Sequence, residues 1–190
     1  MIFSDRQIKQ ALETGRVIID PAPGEDQFAP SAVDLHVDSQ FKAWKQPPPG
    51  MVQHLRLRDV SIPDYGHLTV DLPVENDGSV LIQPGQFVLS RTVETVTLPI
   101  DSRLAARVEG RSSYARLGLV VHMTAPTIHA GFAGQIVLEM MNFGPFPLRI
   151  DPMTTRICQV IFEELGSDPS IALNTRFQNQ RDVLGGTGSA

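Results

Sequence analysis

Val80-Leu81-Ile82-Gln83-Pro84-Gly85-Gln86-Phe87-Val88-Leu89-Ser90-Arg91-Thr92-Val93-Glu94-Thr95-Val96 sets two runs rich in apolar and β-branched residues on either side of a four-residue turn. Proline at the second turn position fixes φ and glycine at the third supplies a positive φ, which is the chemistry of a type II turn. The same texture continues outward. Residues 33–37, 67–72, 104–108, 119–123, 135–142, 148–150 and 156–162 read as further short strands, with Asn76-Asp77-Gly78 and Asn142-Phe143-Gly144-Pro145 as turns between them. Many short strands at close spacing, with little helix between, predict a mainly β chain of the jelly-roll sandwich or barrel kind, not a βαβ nucleotide fold.

The N-terminus departs from this pattern. Ser4 is placed to cap a short helix, Gln7 stands at the capping-box position, Ile8, Ala11 and Leu12 share one face, and Gly15 ends it. A short strand at 17–19 follows, then Pro21, Pro23 and Gly24 open a loop. Pro47-Pro48-Pro49-Gly50 has the composition of a linker, but the 50 residues before it make too thin a core for a separate domain, so it reads as a surface loop. The chain divides into one domain, residues 1–173, and a polar tail, residues 174–190, whose small terminal residues predict mobility.

Composition narrows the function classes. With 42% hydrophobic and 19% charged residues the chain is expected to fold, and 16 basic against 21 acidic residues, a net charge of −5, give no sign of a nucleic-acid track or a membrane surface. No apolar run approaches a membrane span and the N-terminus has no secretory h-region, so a cytoplasmic location is expected. The single cysteine, Cys158, excludes an intrachain disulfide and a multi-cysteine metal site, and its apolar neighbours predict a buried small hydrophobe.

Three stretches could carry chemistry. Glu109-Gly110-Arg111-Ser112-Ser113-Tyr114-Ala115-Arg116 interrupts two β runs with two guanidinium groups and two hydroxyls, donors that suit phosphate oxygens but also an ordinary arginine-rich turn. In Gln135-Ile136-Val137-Leu138-Glu139-Met140-Met141 a carboxylate breaks an apolar strand; buried, its raised pKa would suit proton transfer, whereas strand alternation could equally turn it to solvent. His122-Met123-Thr124-Ala125-Pro126-Thr127-Ile128-His129 holds two histidines seven residues apart across a proline, which fits a ligand contact or a core histidine better than a helical zinc pair.

Together these stretches resemble the dCTP deaminase family of the dUTPase-like superfamily. Arg111-Ser112-Ser113-Tyr114-Ala115-Arg116-Leu117-Gly118-Leu119 is similar to the family's GRSSLARLGL segment, and Ser31-Ala32-Val33-Asp34-Leu35 to its early S-x-x-D-L element. Gln83–Phe87 with Thr97-Leu98-Pro99 resembles its central hairpin. Residues 131–139 resemble the strand bearing the catalytic glutamate, and Arg156-Ile157-Cys158-Gln159-Val160 the R-I-x-Q element. The match runs from about Ser4 to Gln180. It implies a dUTPase-like distorted jelly-roll barrel, a homotrimer with sites at subunit interfaces, a C-terminal tail closing each site, and dTTP as an inhibitor.

The activity implied is metal-free hydrolysis of dCTP to dUTP and ammonia, since a chain with one cysteine cannot build the zinc deaminase signature. Glu139 would shuttle the proton, with Ser112 and Arg116 orienting it and the water. Main-chain groups around Thr124 and Ala125 would read the cytosine, His129, Val137 and Leu138 would line the nucleoside, and Arg111, Ser113, Arg176 and Gln180 would hold the triphosphate. Magnesium would accompany the phosphates without joining the chemistry. At His129 most relatives carry an aspartate, which in dUTPases activates the attacking water. That departure argues against the first alternative, a dUTPase or bifunctional dUMP-forming deaminase, which the glycine-rich ending keeps open. A nucleotide-binding regulator without turnover is the alternative of another class.

Overall fold

The computed structural model describes residues 1–50, 54, 66–173 and 178–184. It opens on helix α1 (Asp5–Glu13), where Ser4 Oγ accepts from Gln7 N–H at 3.4 Å and Gln7 Oε1 accepts from Ser4 N–H at 3.0 Å. This is the predicted capping box, and it directs Ile8 and Ala11 into the core. Among the described residues thirteen strands follow: β1 (Ile18–Asp20), β2 (Phe28–Ala29), β3 (Ala32–His36), β4 (Lys42–Trp44), β5 (Thr69–Asp71), β6 (Val80–Ile82), β7 (Phe87–Thr97), β8 (Leu104–Gly110), β9 (Leu119–Val120), β10 (Thr127–Ile128), β11 (Ala133–Asn142), β12 (Leu148–Ile150) and β13 (Arg156–Glu164). A four-residue helix, α2 (Ser112–Ala115), lies between β8 and β9.

The strands form two main antiparallel sheets, β5-β4-β7-β11-β9 with β1 also on β7, and β10-β8-β13-β3-β2, plus the pair β12-β6. Between the main sheets lies one core, to which β3 gives Val33 and Leu35, β7 gives Val88 and Val96, β11 gives Leu138 and Met140, and β13 gives Ile157, Val160 and Phe162. Cys158 is fully buried among them, as its neighbours predicted. This is the mainly β barrel that the strand spacing implied, with the short N-terminal helix read from Ser4 and Gln7 and the distorted form that the family resemblance implied. Because β3 and β4, before the prolines at 47–49, pair with β13 and β7, after them, the exposed 45–50 stretch is a loop on one body.

The opening stretch folds locally as read but connects differently. Gly85 takes φ +76° and Gln86 N–H donates to Gln83 O at 3.0 Å, so the turn is of type II. The strands it joins do not pair with each other: β6 pairs with β12, while β7 lies between β11 and both β1 and β4 in the large sheet. The expected hairpin is therefore a corner between sheets, and a type II turn suits it, since its twist splays flanking strands that a type I′ or II′ turn would bring together.

Two further local features position the site. Along the β7–β11 pairing, Gln135 faces Thr95 and Val137 faces Arg91, so Thr92, Val93 and Glu94 together oppose Ile136. Thr92 Oγ1 pins this bulge, accepting from Ile136 N–H at 3.0 Å and donating to Glu94 O at 2.7 Å. Bulges of this kind bend a strand and re-aim its side chains. After α2, Gly118 (φ +93°) and Gly144 pack backbone to backbone: a Cβ on Gly118 overlaps the Gly144 main chain, and one on Gly144 overlaps Leu117 O. This contact clamps the exit of α2 to the turn beyond β11.

Candidate active site

Beyond the bulge, β11 alternates cleanly. Leu138, Met140 and Asn142 point into the core, and Val137, Glu139 and Met141 onto the opposite face. That face is partly roofed, not fully open to solvent. A cavity of about 680 Å³ lies over it, with Ile136, Val137 and Glu139 on the floor beside Phe87 and Leu89 of β7 and Trp44 of β4. His122, Ala125, Pro126, Thr127 and His129 form one wall, and Gln180, Val183 and Leu184 of the tail close the other.

The tail is held by a row of main-chain and amide contacts. Gln178 spans from Gly131 O, to which its Nε2 donates at 2.6 Å, to Ala133 N–H, which donates to its Oε1 at 2.9 Å. Asn179 N–H donates to Ala133 O at 2.7 Å, and Gln180 Nε2 to Gln135 O at 2.7 Å. Val183 and Leu184 then bury themselves against Leu89, packed with Trp44 and Phe87. Beneath the tail, Asp38 accepts from Arg91 Nε at 2.9 Å and from Gln135 Nε2 at 3.2 Å. Burial alone would raise the Asp38 pKa, but Ser39 and the Arg91 charge together hold its carboxyl below the ordinary value.

Glu139 shows the opposite balance. Burial pushes its carboxyl above the ordinary value, opposed only in part by its own backbone, by attraction to His122 and by the Met123 backbone. His122 lines the same cavity, and its Nδ1 is buried with no hydrogen-bond partner among the described residues. A partly desolvated carboxylate beside an imidazole in a largely apolar pocket can take a proton from water and return it to a ligand atom.

Of the residues singled out in the sequence, Glu139, Ala125, His129, Val137 and Gln180 meet around this cavity. Thr124 is exposed beside it, and the Leu138 side chain is in the core, leaving only its main chain to face a ligand. Arg176 lies outside the described residues. Arg111, Ser112, Ser113 and Arg116 gather at α2, and none of them lines the cavity. Arg111 instead pairs through Nη1 with Asp34, while its guanidinium lies 6.0 Å from the Tyr114 ring centroid. Sequence reasoning missed the apolar side formed by Trp44, Phe87, Leu89, Val183 and Leu184. Its one signal was the adjacent apolar pair Val183-Leu184 inside a mostly polar tail. Among the described residues, no group of three or more His, Cys, Asp or Glu is placed to hold a metal ion, and no helix is long and apolar enough to cross a membrane.

A two-sheet β barrel with a roofed pocket built around one desolvated carboxylate defines a small-ligand site equipped for acid/base chemistry. Comparison with known proteins gives the family: the profile described as "DCD: dCTP deaminase-like" matches residues 2–165, and the chain belongs to that family. It is 42% identical over 178 residues to the dCTP deaminase of Rhodospirillum rubrum, covering 90% of this chain and 86% of that one. It is 41% identical over 166 residues to the dUMP-forming dCTP deaminase of Methanosphaera stadtmanae, covering 87% and 80%. The crystal structure of 2'-deoxycytidine 5'-triphosphate deaminase from Agrobacterium tumefaciens has the same fold, with a TM-score of 0.61 and 22% identity. That alignment covers 85% of this chain and 47% of that chain, so the present chain spans about half its length.

Proposed function

We propose that this protein deaminates dCTP hydrolytically, releasing ammonia and dUTP, with Glu139 as the proton carrier. The observation that carries the reading is the Glu139 carboxyl, raised above its ordinary value by burial in the cavity floor. An ionised Glu139 takes a proton from a water that adds to C4 of the cytosine, and the proton passes to N3. A second transfer through the same carboxylate protonates the amino group, which leaves as ammonia and restores the carbonyl at C4. A carboxyl with a raised pKa is suited to both steps because it gives up and regains its proton near the working pH.

Ser112 and Arg116 orient the water and Glu139 in this reading, and Arg111, Ser113, Arg176 and Gln180 hold the phosphates. Since α2 does not line the cavity of its own chain, we assign its residues to the cavity of a neighbouring subunit in a homotrimer. Sites shared between subunits follow naturally from closed cyclic assemblies. A magnesium ion arriving with the triphosphate is held by the phosphates; the described residues offer it no carboxylate cluster, and no step is assigned to it.

The first test is ammonia release from dCTP with magnesium, by the parent and by Glu139→Gln, with the nucleotide product identified. Ammonia and dUTP from the parent, with near-complete loss in the variant while dCTP still binds, support the proposal. Binding by both proteins without ammonia from either sinks it in favour of a nucleotide-binding regulator. The dUMP-forming relative supplies a specific second reading, in which dUMP and pyrophosphate appear instead of dUTP. His129, at the position where the family resemblance implies an aspartate that in dUTPases activates the attacking water, weighs toward dUTP.

A further inference from the structure

A buried polar cluster on the far side of the bulge is left unused by this chemistry. Asp34 on β3 is 6% exposed and faces its register partner Gln159 on β13, whose Nε2 donates to Asp34 Oδ1 at 2.9 Å. Gln27 Nε2 donates to Asp34 O at 2.8 Å and to Glu94 Oε1 at 3.2 Å. Glu94 is completed by His36, through its N–H at 2.9 Å and its ring Nδ1 at 2.7 Å. A carboxylate this buried persists when each of its oxygens has a donor, and the cluster supplies one to each.

One member of the cluster leads outward. Asp34 Oδ2 pairs with Arg111 Nη1, and the Arg111 side chain is 30% exposed at the start of α2. With Nη1 engaged and the Tyr114 ring alongside, Nε and Nη2 have no partner among the described residues. A free arginine side chain loses rotamer entropy of about 2 kcal/mol when a ligand fixes it, and a side chain fixed beforehand avoids most of that loss.

We infer that Asp34 is a positioning residue for phosphate recognition: braced by Gln159, it holds Arg111 so that the Nε/Nη2 edge is presented to the phosphates of the nucleotide. This rests on the reading that Arg111 meets the triphosphate. A side chain that merely filled the core would act on folding alone and would not be coupled to Arg111.

The test is a double-mutant cycle on dCTP binding, measured by calorimetry with magnesium, comparing Asp34→Asn in the parent and in an Arg111→Ala background. The expected result is binding weakened about fivefold or more by Asp34→Asn when Arg111 is present, and by less than about 1.5-fold when it is absent, with kcat changed less than about threefold. Equal weakening in both backgrounds, or none in either, overturns the assignment. Gln159→Met keeps the Asp34 charge but removes its brace; it is expected to give the same coupling at smaller size, and it carries the test should Asp34→Asn fail to fold. A parent that fails to bind dCTP sinks the functional reading itself, which separates that failure from this one.

Discussion

Glu94 and Glu139 stand on adjacent strands of one sheet, and their surroundings make them opposites. Glu94 points between the sheets at 2% exposure and is met by three donors, two from His36 and one from Gln27. Glu139 points the other way, into the cavity, and among the described residues no side chain donates a hydrogen bond to it. Burial at Glu94 is met by these donors, whereas at Glu139 burial raises the carboxyl above its ordinary value and its own backbone and that of Met123 oppose this only in part. Depth alone therefore does not single out a candidate proton carrier; depth without side-chain donors, facing a cavity, does.

The largest expected effect falls on the cavity side. Glu139→Gln should lower kcat about 10³-fold in the ammonia assay, the size of a lost general acid/base, with little change in stability. On the core side the order reverses. Glu94→Leu should remove about 3 kcal/mol from urea unfolding at fixed protein concentration by leaving His36 and Gln27 without their acceptor, while kcat of the folded fraction changes less than about threefold. If Glu94→Leu abolished turnover in a fully folded protein, the division between the two carboxylates would be wrong.

Smaller effects come from pH. The acid limb of kcat/KM should lie above the ordinary glutamate value of about 4.3, and Glu139→Gln should erase it. Because the folded-state pKa of Glu139 is raised, the parent loses stability relative to Glu139→Gln as pH climbs from the unfolded value through the folded one, then runs parallel to it. Asp38 is lowered, so its contribution is present above the unfolded value of about 3.9 and disappears as pH falls through the folded one. Asp38→Asn should accordingly match the parent in strong acid and fall below it above pH 4. Opposite slopes in these two comparisons are the sharpest check; slopes of one sign contradict the assigned environments.

The strong local signals in the sequence translated directly. The Ser4–Gln7 capping box, the type II turn at 83–86 and the long apolar strands 87–97 and 133–142 appear where their chemistry places them. What was illegible depended on partners distant in sequence. β2, β4 and β10 are two or three residues long, too short to show alternation, and exist because β3, β7 and β8 offer them an edge. The 119–123 run pairs only at Leu119 and Val120: β11 continues past them through Met140 and Glu139, but the chain turns off at this point to wall the cavity. Alternation did turn Glu139 away from the core, as the bland reading held, but Val183 and Leu184, more than forty residues later, make this face one side of a cavity. A mostly polar run with a few apolar residues in it gives no local hint of what it will cover.

The backbone contact between Gly118 and Gly144 has a consequence for anyone who engineers this enzyme. At these two positions the amino-acid alphabet shrinks to one letter, since even a methyl group forces apart the segments that follow α2 and β11. A combinatorial library that randomises them spends its diversity on chains whose α2 has lost its mooring. One that leaves them alone is free to vary Leu117 and Phe143 alongside, both of which face outward.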